Sequence, residues 1–262
     1  MLALSLCAGM LVGVGAASAN VYRVTRGSIS PAGGGSAAKP QPVGIGFGLG
    51  VSADDRSERP SPVKTYRIAT EGVLAFPRTF PSCSLSKAKI RRAPAKACAK
   101  ALIGNGLIRA AAGFDDDTTI AQSLPCNLRL RLYNTGSGLA LRVDTDTPVP
   151  RSFKSRELGC PVPIHTAIRG QFTRTTLDGM VAMDLSFTLP TLLLRPLQDW
   201  EGALQLVDAS LGRWTGTALI KGHRRTVGYF SSVGCHGKTR TIRAAFVDED
   251  GNRSEATRTV VC

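Results

Sequence analysis

The amino-acid sequence predicts an all-β fold, a two-layer antiparallel β-sandwich held by disulfide bonds and carrying at most short helices. Three stretches support this prediction, residues 128–144, 164–189 and 241–262, because each contains two strands joined by a turn. In all three, apolar residues alternate with polar ones at every second position, as expected for strands with one buried face. A sheet with one apolar face needs a second layer to cover it, which favours a sandwich; a closed β-barrel is the alternative.

The amino-terminal stretch has the features of a secretory signal peptide. Residues 1–19 carry no charge and end in Ala17-Ser18-Ala19, a small-residue cleavage signature. The stretch is short for a transmembrane helix, so the mature chain is expected to lack one. It also lacks the usual positively charged start, which leaves open an initiation site upstream of Met1. Cleavage near Ala19 would make the protein secreted, either extracellular or at the cell envelope.

Two regions follow the signal peptide. Residues 20–42 are rich in glycine and proline and offer little to bury, so they are expected to form a flexible tether. Residues 43–262 are expected to form one β-sandwich domain. Its first strand, 43–51, has glycine at every second position, which indicates close packing over that face. A ligand groove with the glycines as its floor is the alternative for this strand.

The rest of the domain reads mainly as hairpins. The clearest, at 128–144, places every leucine on one face and every charge on the other, which is expected to face solvent. Upstream of it, the Gly-Asn-Gly run at 104–106 predicts a turn into a strand. The Asp-Gly pair at 178–179 predicts a tight hairpin turn. The stretch 190–214 fits either a short helix or a strand, and the sequence leaves that choice open.

Cysteine usage predicts disulfide bonds. Removal of the signal peptide takes Cys7 with it and leaves an even set of cysteines, which in an exported protein favours disulfides over reactive thiols. The sequence alone cannot choose among the fifteen pairings that six cysteines allow. The simplest guess joins sequential cysteines, so that each pair closes one local loop. The structural cysteines are Cys83 and Cys98, Cys126 and Cys160, and Cys235 and Cys262.

The formal net charge of +14 suits contact with an anionic cell-wall polymer or polysaccharide. A well-solvated arginine-rich surface without any partner is the plain alternative. The densest cationic cluster, a candidate anion-binding patch, lies in the loop between the first two structural cysteines. Its cations are Lys87, Lys89, Arg91, Arg92 and Lys96. The loop lacks the interleaved aromatic residues that bind single-stranded nucleic acid, so a nucleic-acid partner is not expected.

No catalytic, cofactor or metal site can be assigned from the residues. A Ser–His–acid triad would need one of the three histidines, and His165 lies on the polar side of a strand without a nucleophile motif. Asp178, Asp184 and Glu201 could supply paired carboxylates for glycoside hydrolysis, but any β protein offers such pairs. The acidic run at 115–117 lacks the alternating pattern of a calcium-binding loop. No cofactor is therefore expected.

Short motifs of turn formers, prolines and cysteines run through the chain. They are Arg59-Pro-Ser-Pro-Val-Lys64, Phe80-Pro-Ser-Cys-Ser84, Ile103-Gly-Asn-Gly106, Leu132-Tyr-Asn134, Cys160-Pro-Val-Pro-Ile-His165-Thr-Ala-Ile, Leu192-Leu-Leu-Arg-Pro196 and Gly228-Tyr-Phe-Ser-Ser-Val-Gly-Cys235. Over residues 40–262 the sequence resembles an uncharacterised family of secreted actinobacterial cysteine-containing all-β proteins. The resemblance implies one secreted domain and gives no indication of an activity, because that family has no assigned function. Where relatives tend to have histidine before the proline at position 196, this chain has Arg195.

These features favour a secreted, non-catalytic module with a binding or structural role and a basic surface suited to anionic or carbohydrate partners. A secreted hydrolase acting on polysaccharide or ester substrates is the alternative. The two functions differ in one geometric requirement. A histidine within hydrogen-bond reach of both a hydroxyl and a carboxylate would favour the hydrolase.

Overall fold

Antiparallel strands make up most of the computed structural model, which describes residues 19–89, 98–145, 160 and 162–262. The strands are β1 (Asn20–Ser30), β2 (Gln41–Ala53), β3 (Val63–Glu71), β4 (Val73–Ala75), β5 (Leu102–Phe114), β6 (Leu124–Asn134), β7 (Gly138–Thr145), β8 (His165–Leu177), β9 (Met180–Thr188), β10 (Trp200–Leu211), β11 (Thr215–Ile220), β12 (His223–Gly228), β13 (Phe230–Ser232), β14 (Thr239–Asp248) and β15 (Arg253–Val261). Short helices lie at α1 (Leu85–Lys89) and α2 (Thr191–Leu194), with 3-10 turns at Pro77–Thr79, Ala99–Ala101 and Ile120–Gln122.

One large sheet contains nearly all the strands. Its order is β15-β14-β3-β9-β8-β7-β6-β5-β10-β2-β13-β4, with β1 paired to β2, while β11 and β12 form a separate hairpin. The sheet curls so that the apolar sides of its strands enclose one core. No ladder joins β1 to β15 among the described residues, so the sheet is not a closed barrel. The all-β, sandwich-like fold expected from the sequence is confirmed.

The curled sheet is fastened by side chains where β1 meets β15. The Arg258 Nη1 group donates to the carbonyl oxygens of Val24, at 3.3 Å, and Thr25, at 2.9 Å. A Cβ atom added to Gly27 of β1 would lie 2.8 Å from Val260 Cγ1 of β15. The two strands therefore approach closely without a backbone ladder, and we call this contact the β1–β15 seam.

The substitution Gly27→Ala is expected to lower the free energy of unfolding by about 1–2 kcal/mol, because the added methyl group overpacks the seam. Urea denaturation followed by circular dichroism measures the loss. Arg23→Ala, on an exposed position of the same strand, is the control and should change stability by less than about 0.5 kcal/mol. Equal stability of the two variants would show that the seam tolerates a larger residue.

The expected tether is wrong for its first part, because residues 20–30 form β1 and pair along β2. The reason lies in the glycines of β2. A Cβ atom at Gly46 would lie 2.6 Å from Ser28 Oγ, and one at Gly48 would lie 2.5 Å from Thr25 Oγ1. Polar side chains of β1 occupy the space that the glycines leave, so the close packing expected over the glycine face is present.

The structure answers two further local questions from the sequence. The ambiguous stretch 190–214 contains the short helix α2 followed by the long strand β10. The turn predicted at 104–106 is wrong, because β5 runs through it in an extended conformation. A Cβ atom on Gly104 would lie 2.5 Å from the carbonyl oxygen of Ser210, so this glycine permits a close backbone approach to β10 rather than a turn.

Disulfide bonds join Cys83 to Cys98, Cys126 to Cys160, and Cys235 to Cys262, which confirms the sequential pairing. The cysteines of the first two bonds are buried, and those of the third are partly exposed. Each bond closes a local excursion, which limits the conformations of the unfolded chain. Among the described residues, no helix is long and apolar enough to cross a membrane.

The charged face of β7 is not solvent-exposed, contrary to the sequence prediction. Arg142 is 1% exposed and Asp144 is 9% exposed, because α1 packs over this face of the sheet. The Arg142 Nη1 group donates to the carbonyl oxygen of Ala88 at 2.6 Å, near the end of that helix. The arginine thus anchors the disulfide-bonded loop to the sandwich.

Candidate functional site

A groove of about 450 Å³ opens at one end of the sandwich. One wall is the segment 74–79, which contains the end of β4 and the following 3-10 turn. The other wall is the β6–β7 turn at Gly136 and Ser137. The floor comes from β8 and β9, at 172–174 and Met183. This volume lies within the range of about 300–1,000 Å³ that is common for small-molecule sites.

One buried side chain positions both walls of the groove. Asn134, at the end of β6, is fully buried, and its amide nitrogen donates to the carbonyl oxygens of Pro77 and Pro81, each at 2.9 Å. The same nitrogen lies 3.1 Å from the carbonyl oxygen of Phe80. Its amide oxygen accepts from the backbone N–H of Gly136 at 2.9 Å. Asn134 therefore holds the two walls at a fixed separation.

Tyr229 completes this polar network. Its hydroxyl lies 3.1 Å from both Asn134 Oδ1 and the carbonyl oxygen of Gly138, and it can donate to either. Burial raises the pKa of the Tyr229 hydroxyl, so it stays protonated as a donor. Gly136 adopts a φ of +85°, a conformation that glycine accepts without strain, and this allows the tight turn of the second wall.

One aromatic ring, that of Phe172, contributes to the floor of the groove and packs against two other rings. Phe172 is half-buried, and its ring meets the ring of Phe230 edge to face, with centroids 5.8 Å apart and planes at 87°. It also contacts the ring of Tyr229 at 6.3 Å. Aromatic pairs in this arrangement hold each other in place. Phe76, in the first wall, adds a second half-buried ring to the lining.

Two arginines line the groove, Arg78 from the 3-10 turn and Arg174 from β8. Both are exposed, and neither side chain forms a hydrogen bond or ion pair within the described part of the chain. Since side chains two positions apart share a face of a strand, Arg174 continues the inward-facing row of Phe172. The groove therefore offers two free guanidinium groups beside apolar rings.

Two residues of the cationic patch predicted from the sequence lie in the described part of the chain. Lys87 and Lys89 are exposed on α1. Arg91, Arg92 and Lys96 lie outside the described residues. The loop begins close to the second wall, because a Cβ atom on Gly136 would lie 3.5 Å from Ser82 Cβ. Neither lysine lines the groove.

His165 meets one of the two requirements of a hydrolytic triad. Its Nδ1 atom lies 3.0 Å from Asp144 Oδ1, but no hydroxyl group of the described residues contacts the ring. Asp144 also accepts from Arg142 Nε at 2.8 Å and Nη2 at 2.6 Å. The arrangement therefore anchors α1 and lacks a nucleophile in the part of the chain that the structure describes.

Each of the other carboxylates considered for catalysis lies beside an arginine. Asp184 pairs with Arg67, and Asp178 lies 3.6 Å from Arg243. The third, Glu201, lies 2.5 Å from Arg195. Within the described ranges, no group of three or more histidine, cysteine, aspartate or glutamate side chains could hold a metal ion.

Sequence reasoning missed the groove because its parts come from four separate segments. One feature of the sequence could have indicated the groove. Arg174 places a cation at the end of the row of β8 that otherwise carries apolar residues such as Phe172. Comparison with known proteins adds no assignment, because no family model, curated protein or solved structure matches the chain.

Proposed function

We propose that the protein is a secreted, non-catalytic module that binds an anionic carbohydrate in this groove. The observation that carries the proposal is the pair Arg78 and Arg174, which line the groove without a carboxylate partner among the described residues. A guanidinium group binds a carboxylate through two parallel N–H···O bonds. The rings of Phe76 and Phe172 offer apolar surface to the C–H face of a sugar.

The rest of the molecule supports an extracellular role. Three disulfide bonds suit an oxidising compartment. The net charge of +14 would draw an anionic polymer toward the surface and speed its encounter with the groove. Asn134 and Tyr229 hold the groove in its open form without a ligand, which reduces the entropy lost on binding.

Binding of trigalacturonate, a uronic-acid trisaccharide, tests the proposal by calorimetric titration. We expect Arg174→Gln to weaken binding at least about tenfold, because a hydrogen bond to a charged group contributes about 1.5–3 kcal/mol. Arg78→Gln should act in the same direction. Raising the salt concentration should weaken binding to the wild-type protein, since the contact is ionic.

The matched control is Arg253→Gln, an exposed arginine at the start of β15. It carries the same charge change at the far end of the sheet, and binding should stay within about twofold of wild type. Maltotriose, a neutral trisaccharide, should bind far more weakly than trigalacturonate. Equal affinity of wild type and Arg174→Gln, or equal binding of the two sugars, would contradict the proposal.

A further inference from the structure

The hairpin of β11 and β12 is a two-stranded ribbon outside the main sheet. Its outer face is solvent-exposed, and Leu219 on that face is 71% exposed. A ribbon of two strands is marginally stable by itself and depends on what its other face contacts. The register pairs Gly216 with Val227, Ala218 with Arg225 and Ile220 with His223. Directly paired residues share a face, so these six residues form the inner face.

The inner face of the ribbon adjoins the groove. A Cβ atom on Gly216 would lie 2.9 Å from Thr79 Cγ2 and 3.3 Å from the ring of Phe80. Thr79 also lines the groove, so one residue belongs to both surfaces. Arg225 lies on the same face two residues further along the ribbon, at about 7 Å for a strand. The ribbon thus extends the groove wall and carries a cation along it.

Arg225 has an unused hydrogen-bond donor. Its Nε atom is buried and has no partner in the described part of the chain, and its side chain forms no ion pair there. A buried N–H without an acceptor is costly, and the partly exposed Arg225 side chain can lower this cost by turning its guanidinium group toward an incoming anionic oxygen. Arg224, the next residue, lies on the outer face opposite Leu219 and is exposed. The two arginines therefore differ in orientation and not in charge.

We propose that the ligand is an extended anionic polysaccharide, whose chain continues from the groove along the inner face of the ribbon to Arg225. This inference rests on the proposed function and names the length of ligand that the site takes. A short oligosaccharide would reach Arg78 and Arg174, and a longer one would also supply a carboxylate to Arg225. Affinity should therefore rise with the length of the oligosaccharide until the oligosaccharide is long enough to contact Arg225.

Titration of the full chain with digalacturonate and octagalacturonate tests this inference. Octagalacturonate should bind wild type at least about tenfold more tightly than digalacturonate, the effect of one additional charge-assisted contact. Arg225→Gln should abolish that difference while leaving digalacturonate affinity within about twofold. Arg224→Gln, the same charge change on the outer face, should preserve the length dependence. Thermal unfolding of both variants checks that the ribbon remains folded.

The outcomes separate the two proposals. If digalacturonate binds and Arg174→Gln weakens it, but length has no effect, the role of the ribbon is wrong and the groove stands. The ribbon proposal also falls if Arg224→Gln acts as strongly as Arg225→Gln, because the effect is then one of overall charge. If neither oligosaccharide binds, both proposals fall. A single-stranded oligonucleotide that matches octagalacturonate at equal salt would assign the ribbon to nucleic acid instead.

Discussion

Replacing Asn134 with leucine is expected to lower the free energy of unfolding by about 3–5 kcal/mol, since several buried polar groups lose their partner together. The carbonyl oxygens of Pro77, Phe80 and Pro81 would face an apolar side chain of similar size. The backbone N–H of Gly136 would also lose its acceptor. Urea denaturation at neutral pH, followed by circular dichroism, measures this effect.

The matched control for this substitution is Tyr229→Phe. It removes one hydroxyl of the same network and leaves both walls bonded to Asn134, so a loss of only about 1 kcal/mol is expected. The Asn134→Leu variant should in addition lose trigalacturonate binding at temperatures where it is still folded. Equal stabilities of the two variants, or intact sugar binding by Asn134→Leu, would show that the network does not hold the groove open.

Replacing Arg142 with methionine is expected to destabilise the protein by about 3–5 kcal/mol at neutral pH. The substitution leaves the Asp144 carboxylate nearly buried and without its main hydrogen-bond donor, and removal of one partner from a buried ion pair costs this much. The carbonyl oxygen of Ala88 also loses its donor, so α1 should loosen from the sheet. Urea denaturation measures the loss of stability.

The pH dependence of stability provides a second test at the same place. Burial would raise the pKa of Asp144, but hydrogen bonds from Arg142 and His165 outweigh it and hold this pKa below its ordinary value. A carboxyl group with a lowered pKa in the folded state stabilises the protein above its unfolded pKa of about 3.9. That contribution to stability is lost as the pH falls through the pKa of Asp144 in the folded protein.

The stability difference between wild type and Arg142→Met should therefore be largest near neutral pH and narrow below about pH 4. The double variant Arg142→Met with Asp144→Asn should recover part of the loss at neutral pH, because the unpaired charge is gone. A difference that stays constant from neutral to acidic pH would show that the effect comes from packing of α1 and not from the ion pair.

The strands that form local hairpins could be predicted from the sequence, because their alternating pattern and turn residues lie close together in the chain. The pair β8 and β9 is an example, with an Asp-Gly turn between rows of apolar residues. The sequential disulfide pairing could be predicted for the same reason, because each bond joins cysteines that follow one another in the chain. The prediction of a turn at 104–106 failed because those glycines permit the close approach of β10. That strand lies about a hundred residues further along the chain.

The candidate site could not be predicted for the same physical reason. Arg142 alternates with leucines as a surface arginine would, and only the docking of α1 makes it buried. The groove depends on contacts between Asn134 and the segment 77–81, more than fifty residues apart. Composition indicated an anionic partner, but the cations that line the groove are not those of the densest cluster in the sequence.

The β1–β15 seam has a consequence for the behaviour of the protein in concentrated solution. A strand at the border of a sheet offers a row of unpaired N–H and C=O groups, onto which strands of other molecules can add. At the seam these two borders lie against each other, and Arg258 donates to two carbonyl oxygens of β1. Strand addition at this border therefore requires β1 to detach first.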